Sequence, residues 1–416
     1  MHIIRKKMDL LIFECSPFYC VVFLALILLP ALALPANDWG IQLDTSADVY
    51  NSADENYFSC SGTLIPWFSA PVGTAHLYLS GGFTAEYIYK TFNPIPELLR
   101  TELSFPVGSD GKIKAGRMLY DDPLGIIANG LFDGAAFSLD SAAGIFNAGI
   151  WYTGLLYKKN TKIAMTDGDL ASYEKKLDYK DFAATYFAPR RLVFALDWGN
   201  PDLSELLRLK FAFIGQCDLS GREDVYHSQY LAAKAAIPVK SFAFDMAGCL
   251  ELAEKGASGQ CQAALAGELG IGWIPPTSIK DRLTLTVRLS SGKSDNGALG
   301  AFIPVTTEEQ DDILKANFSG LSMIRLSYTA RPHESFLFGL ASSYFILSDS
   351  ETYKGLPAGR DGRGLGNEFS GRLSWSPVSD LRLSLGGGVF LPSWGNADRG
   401  GKALWRVEVN AALVIF

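Results

Sequence analysis

Twelve basic side chains fall at alternate positions of short extended segments: Arg100, Lys112, Lys114, Arg191, Arg208, Lys210, Arg282, Arg288, Arg325, Arg372, Arg382 and Arg406. Gathered on the inner face of a water-filled channel, such groups draw anions in and raise their local concentration. Arginine adds geometry to charge, because its planar fork meets a carboxylate through two hydrogen bonds. The same alternation puts Glu102, Asp197, Asp245, Glu251, Glu268, Glu368 and Glu408 on that face, which leaves a basic excess of five (twelve against seven). Arginine–glutamate ladders can also brace neighbouring strands, so each arginine has bracing as its alternative role. The excess as a whole is read as a modest anion preference.

Materials for covalent chemistry are scarce. Beyond residue 36 the histidines are His76, His227 and His333, and none has a Gly-x-Ser-x-Gly or comparable partner. No phosphate-loop, dinucleotide or zinc spacing occurs. Cys60, Cys217, Cys249 and Cys261 form neither a metal-ligand pattern nor a disulfide framework, and alternation points Cys249 and Cys261 to opposite faces. The expectation is a protein without enzymatic activity or cofactor. The net charge of −7 gives no reason to expect nucleic acid as a partner.

The elements that must hold these side chains are strands. In DRLTLTVRLSSG, Leu283, Leu285, Val287 and Leu289 alternate with Arg282, Thr284, Thr286 and Arg288. In DLRLSLGGGVF, Leu381, Leu383 and Leu385 oppose Arg382, Ser384 and Gly386. The period is two, not 3.6. Roughly eighteen such segments run from 41–49 to 402–415. Most have the nine to fourteen residues, about, that a tilted strand needs to cross a bilayer core. Turn signals stand at 107–111, 255–259, 330–334 and 376–380, and longer polar connections at 157–181, 291–316 and 348–366. Short turns on one rim and long loops on the other describe an all-β, transmembrane antiparallel barrel of about eighteen strands, with sixteen the other admissible count.

A secreted β-sandwich array alternates too, but bulky apolar faces opposite arginines favour a barrel. Trp67, Trp198, Trp273 and Trp375 stand near segment ends, where a membrane-interface girdle would need them. The connection 157–181, with Lys158, Lys159, Lys162, Lys175 and Lys176, and the connection 348–366, with Arg360 and Arg363, are read as surface loops. Their alternative role is as inward constrictions.

The first residues address compartment. Arg5, Lys6 and Lys7 precede the apolar run FYCVVFLALILLPALA, and small residues follow, so 1–33 reads as a signal peptide with cleavage after Ala33 or Ala36. One barrel domain, 37–416, remains, with the outer membrane of a Gram-negative-type envelope as its expected location. Its last segment, LWRVEVNAALVIF (404–416), turns Trp405, Val407, Val409, Ala411, Leu413 and Ile415 to one face and Arg406, Glu408 and Asn410 to the other. It is read as the closing strand and as the signal for the barrel-assembly machinery, with Phe416 one step out of phase. The expected partners are outer-membrane lipid and an anionic or polar solute. The rival from another class is a surface adhesin, or a structural barrel without transport.

Two stretches resemble the alginate-export family of outer-membrane barrels. In 112–139 the matching residues are Gly116, Arg117, Phe132, Asp133 and Gly134. In 365–395 they are Leu365, Gly366, Glu368, Pro377, Leu381 and Phe390. Met118 follows Gly-Arg where the family usually has Gln, and Ser393-Trp394 follow Pro392 in place of Gly. The resemblance implies a porin-like barrel that passes an acidic oligo- or polysaccharide through an arginine-rich pore.

Overall fold

The computed structural model describes residues 37–52, 55–88, 91–204, 206–256, 259–294, 299–349, 362–398 and 400–415. The expected signal peptide, Arg360 and Phe416 lie outside them. Eighteen antiparallel strands form one sheet: β1 (Asp38–Ser52), β2 (Glu55–Val72), β3 (Ala75–Ile88), β4 (Thr91–Val107), β5 (Gly111–Asp121), β6 (Asn129–Ser141), β7 (Gly144–Tyr152), β8 (Arg191–Ser204), β9 (Leu207–Asp218), β10 (Tyr226–Val239), β11 (Phe242–Lys255), β12 (Gln260–Trp273), β13 (Arg282–Ser290), β14 (Leu321–His333), β15 (Phe336–Leu347), β16 (Gly364–Val378), β17 (Leu381–Leu391) and β18 (Leu404–Ile415). Each strand pairs with its sequence neighbours, and β18 pairs with β1 from Ile41↔Ile415 to Tyr50↔Arg406. The sheet therefore closes, and no edge is left with unpaired backbone groups. Among the described residues no helix is long and apolar enough to cross a membrane.

The two rims differ as the turn chemistry predicts. On one rim the connections are 73–74, 108–110, 142–143, 205–206, 240–241, 274–281, 334–335 and 379–380. The other rim carries 122–128, 153–190, 219–225, 291–320, 348–363 and 392–403. The turn signal at 255–259 belongs to this second rim, as one of its short connections. β1 begins and β18 ends on the short-turn rim, as an even number of antiparallel strands requires.

Outward side chains are apolar at nearly every height. Leu196, Leu231, Leu269, Leu326, Leu385 and Val409 are all exposed, Leu231 at 61%. A contiguous apolar surface of this extent suits lipid and not water. At the short-turn rim, aromatic rings stack on the outer face: Trp198 on Phe211, Phe242 on Trp273 and Phe336 on Trp375. Three of the four expected girdle tryptophans thus sit where an interface requires them. Trp67 does not. Its register partner is Gly40, and the alternation that turns Ser46 and Ser61 inward turns Trp67 inward too, where it stacks on Tyr78. Gly40 has no side chain, and that opening in the inner face receives the indole. Cys249 turns inward and Cys261 outward, as alternation predicted.

Leu231 lies near the middle of β10, so Leu231→Arg should destabilise the lipid-folded barrel by about 2–4 kcal/mol. Reversible urea unfolding in liposomes would register that loss, and an unchanged midpoint would contradict a lipid-facing Leu231.

Candidate functional site in the barrel lumen

Charged side chains of the inner face meet across strands. Arg406 lies 3.5 Å from Asp48 of β1 and 3.4 Å from Glu408. Glu408 also receives Arg372 of β16 at 2.7 Å. Farther round the ring, on β4 and β5, Arg100 and Lys114 clasp Glu102 at 2.8 and 3.1 Å. Arg288 reaches Glu268 at 2.6 Å, and Arg325 reaches Asp311 at 3.1 Å. Seven of the twelve basic residues singled out from the sequence are thereby ion-paired, counting Arg191. Five have no ion pair among the described residues: Lys112, Arg208, Lys210, Arg282 and Arg382. All five are exposed and sit in the first residues of β5, β9, β13 and β17, just inside the short-turn rim.

Arg191 departs from the expectation of a channel-lining group. It faces inward but is wholly buried, held by Asp169 and by Asp218 at 3.3 Å, with a further bond to the Tyr226 carbonyl. Asp169 also binds Arg222. The cause is the 153–190 connection, which enters the barrel where surface placement was expected. Helix α1 (Lys158–Thr161) and helix α2 (Asp167–Glu174, opened by a Thr166–Asp169 capping box) lie along it. Lys158 is buried and donates to the Ser172 carbonyl at 2.7 Å; burial, with the charges of Lys159 and Lys175, pushes its pKa down to about 8.

A second connection, 291–320, crosses the lumen. Val305 N–H donates to the Ile127 carbonyl, and Ile303 N–H donates to Glu251 at 2.8 Å. The Tyr226 hydroxyl donates to Glu251 at 2.6 Å. Farther along, Asp312, Ile313 and Leu314 donate their backbone N–H groups to the Glu368 carboxylate at 3.1, 3.1 and 2.8 Å. Around these anchors an apolar core forms inside the barrel, from Met118, Ile127, Phe132, Ile163, Tyr230 and Phe302. Glu251 and Glu368, read from sequence as charges of an open channel, are loop clamps.

Both stretches that carry the family resemblance belong to these clamps. Gly116 has φ +112°, and a Cβ there would stand 1.9 Å from the Thr101 carbonyl oxygen. That kink delivers Arg117 into a two-bond pairing with Asp133 at 2.8 and 2.9 Å, while the guanidinium also donates to the carbonyls of Leu98 and Leu155. Gly366, at φ +140°, packs its backbone against Leu391 in the same hairpin that presents Glu368.

The filled side of the barrel leaves space along the wall formed by β18, β1, β2 and β3. A pocket of about 540 Å³ lies between Ser46, Asp48, Ser59, Ser61 and Glu86 on the wall and the 313–315 segment of the crossing connection. A second, of about 210 Å³, shares Ser46 and Ser61 with it and extends to Asp44, Thr63, Asn410 and Arg382. Together they trace a path from the long-connection rim to the short-turn rim, lined by hydroxyls and by charges of both signs. Sequence reasoning missed this wall, although Ser59, Ser61 and Thr63 alternate with Phe58, Cys60 and Leu64 in β2. It also missed inner-face acids (Asp38, Asp44, Asp48, Glu55, Glu86, Glu97, Asp140 and Asp218) and bases (Lys234 and Lys255). Eight acids against two bases offset the basic excess read from the sequence.

Replacing Glu368 by Ala deletes three hydrogen bonds to one loop. Protease cleavage within 291–320 should then accelerate by at least about tenfold while the folded barrel persists on an unheated gel. An unchanged cleavage rate would show that Glu368 does not hold the connection.

No family model matches this chain, and no curated protein matches it in sequence. In structure it is similar to outer-membrane porins. Against Pseudomonas aeruginosa OccK2 (OpdF) the TM-score is 0.62 at 12% identity, over 92% of this chain and 98% of that one. The same protein crystallised in complex with glucuronate gives 0.61, again at 12% identity and over the same shares of both chains. Against a BenF-like porin from Pseudomonas fluorescens Pf-5 the TM-score is 0.62 at 10% identity, covering 92% of this chain and all (100%) of that one. At such identities the likeness is one of fold: a closed, porin-like β-barrel.

Proposed function

We propose that the protein is an outer-membrane channel through which small polar and anionic solutes diffuse, acidic sugars among them. The observation that carries this reading is the hydroxyl-lined path beside β18–β3, left open while inward connections fill much of the lumen. Serine and threonine hydroxyls donate and accept, so they can replace the hydration of a sugar at small cost. Unpaired Arg382 lies at the exit of that path, and a guanidinium there suits a passing carboxylate. The structural likeness to a porin crystallised with glucuronate supports the acidic-sugar class. So does the resemblance of 112–139 and 365–395 to the alginate-export family.

In this reading the short-turn rim faces the periplasm, lipid surrounds the outer face, and β18 is what the barrel-assembly machinery engages. The segment 1–33 would direct export and be removed. The inward course of the 153–190 and 291–320 connections weighs against an adhesin, which would need its long loops outside.

Conductance in planar bilayers tests the proposal. Purified protein should give discrete current steps, with a reversal potential displaced toward the chloride equilibrium value. Neutralising Arg208, Arg282 and Arg382 together, each to Gln, should move that potential toward zero without abolishing the steps. Neutralising the ion-paired Arg288 should change it less. Absence of steps would overturn the channel itself, and an unmoved potential would overturn the role given to the unpaired arginines.

A further inference from the structure

We infer that the barrel carries a binding station for phosphate-type dianions on the inner face of β9 and β10, formed by Lys210, Lys234 and Arg208. The inference names a ligand class and a place within the proposed channel, and so rests on that reading.

Register alone puts Lys210 directly opposite Lys234, and Arg208 directly opposite Ala236. All are on the inner face, because Ala212 and Ile214 of β9 and Tyr230 and Ala232 of β10 belong to the core inside the barrel. Opposed side chains on adjacent antiparallel strands have Cβ atoms about 4.5–5.5 Å apart, and like charges so placed repel. No ion pair relieves Lys210, Lys234 or Arg208 among the described residues. The other inner-face arginines on the long-connection side show the contrast, each joined to a named carboxylate.

The surroundings are small. Lys210 faces Gly199 on its other side, Lys234 faces Ala247, and Ala212 and Ala232 stand in the next row. Three long cationic side chains therefore rise from a floor of glycine and alanine, and Arg208 and Lys210 are exposed. Two acids flank the group. Asp197 is near enough to Lys210 for their charges to interact, but it receives the Asn147 amide at 2.7 Å. Asp245 stands on β11 opposite Ala236, in the row of Arg208. Neither lies between the two lysines.

The chemistry selects the ligand. Two ammonium groups are compact charges with three freely turning donors each, which suits tetrahedral oxyanions better than planar carboxylates. Arg208, two residues along the same strand, adds a fork for a second pair of phosphate oxygens. A ligand of charge near −2 would replace lysine–lysine repulsion with attraction. Inorganic phosphate, pyrophosphate and phosphomonoesters fit; a monocarboxylate leaves the repulsion half relieved.

The test uses inorganic pyrophosphate on refolded full-length barrel in detergent. Phosphorus-31 line broadening should report binding, and Lys210→Gln with Lys234→Gln should raise the half-saturating concentration by about tenfold or more, the worth of one charge-assisted bond. Arg288→Gln, whose guanidinium is already paired with Glu268, should leave it unchanged. In bilayers pyrophosphate should reduce the wild-type current more from the short-turn side than from the other. Equal binding by wild type and the lysine variant would overturn the station, as would no broadening by wild type. Lysine-dependent broadening without current steps would uphold the station and overturn the channel. Should the double variant fold poorly, Lys234→Ala alone gives the same discrimination.

Discussion

Pairing of backbone N–H and C=O groups is the constraint from which the rest of this structure follows. In lipid no water completes a strand's hydrogen bonds, so each must find its partner in another strand, and the sheet must close. β18 meeting β1 over ten residue pairs meets that demand. Closure fixes an even strand number, because both ends emerge on one rim. It also fixes the side-chain code: with a period of two, every strand must offer one face to oil and the other to water. The outward leucines and inward arginines are two readings of one alternation.

A ring of this many strands leaves more room than its own side chains can fill. The protein fills much of that space with its own chain. Inward-turning connections bring their backbone polar groups with them, and those groups need partners. Glu251, Glu368 and the Arg117–Asp133 pair supply them, at heights where the wall would otherwise face water. The inner charges thus divide by task. Those on the long-connection side are consumed in holding loops and neighbouring strands. Those near the short-turn rim remain uncommitted.

Much of this was legible in the sequence because alternation is a local property. All eighteen strands, the inward direction of the twelve bases and the opposed faces of Cys249 and Cys261 follow from counting by twos. What was not legible depends on the connections. Nothing in 157–181 says that Asp169 will reach Arg191, since that contact joins residues 22 apart through a loop with no periodicity. Trp67 was misplaced because proximity to a turn was weighted above its phase. The basic excess was overstated because β1 and β2 carry their polar face as serine, threonine and aspartate, which attracts less notice than arginine.

Net charge is a poor guide to what such a channel would select. At physiological salt, charges more than about 8 Å apart in water hardly feel one another. A solute moving along the wall responds to the nearest groups and not to the lumen's sum. Arg406 lies beside Asp48 and Glu408, so a passing anion meets a nearly neutral group there. Arg382 shares its pocket with Asp44 but makes no ion pair among the described residues, so more of its charge stays available to a solute. An interior close to balance can therefore still prefer anions, provided its unpaired bases stand where the path narrows and its acids are occupied with loops. The arrangement of pairs decides the preference, and that arrangement is set by the inward connections as much as by the strands.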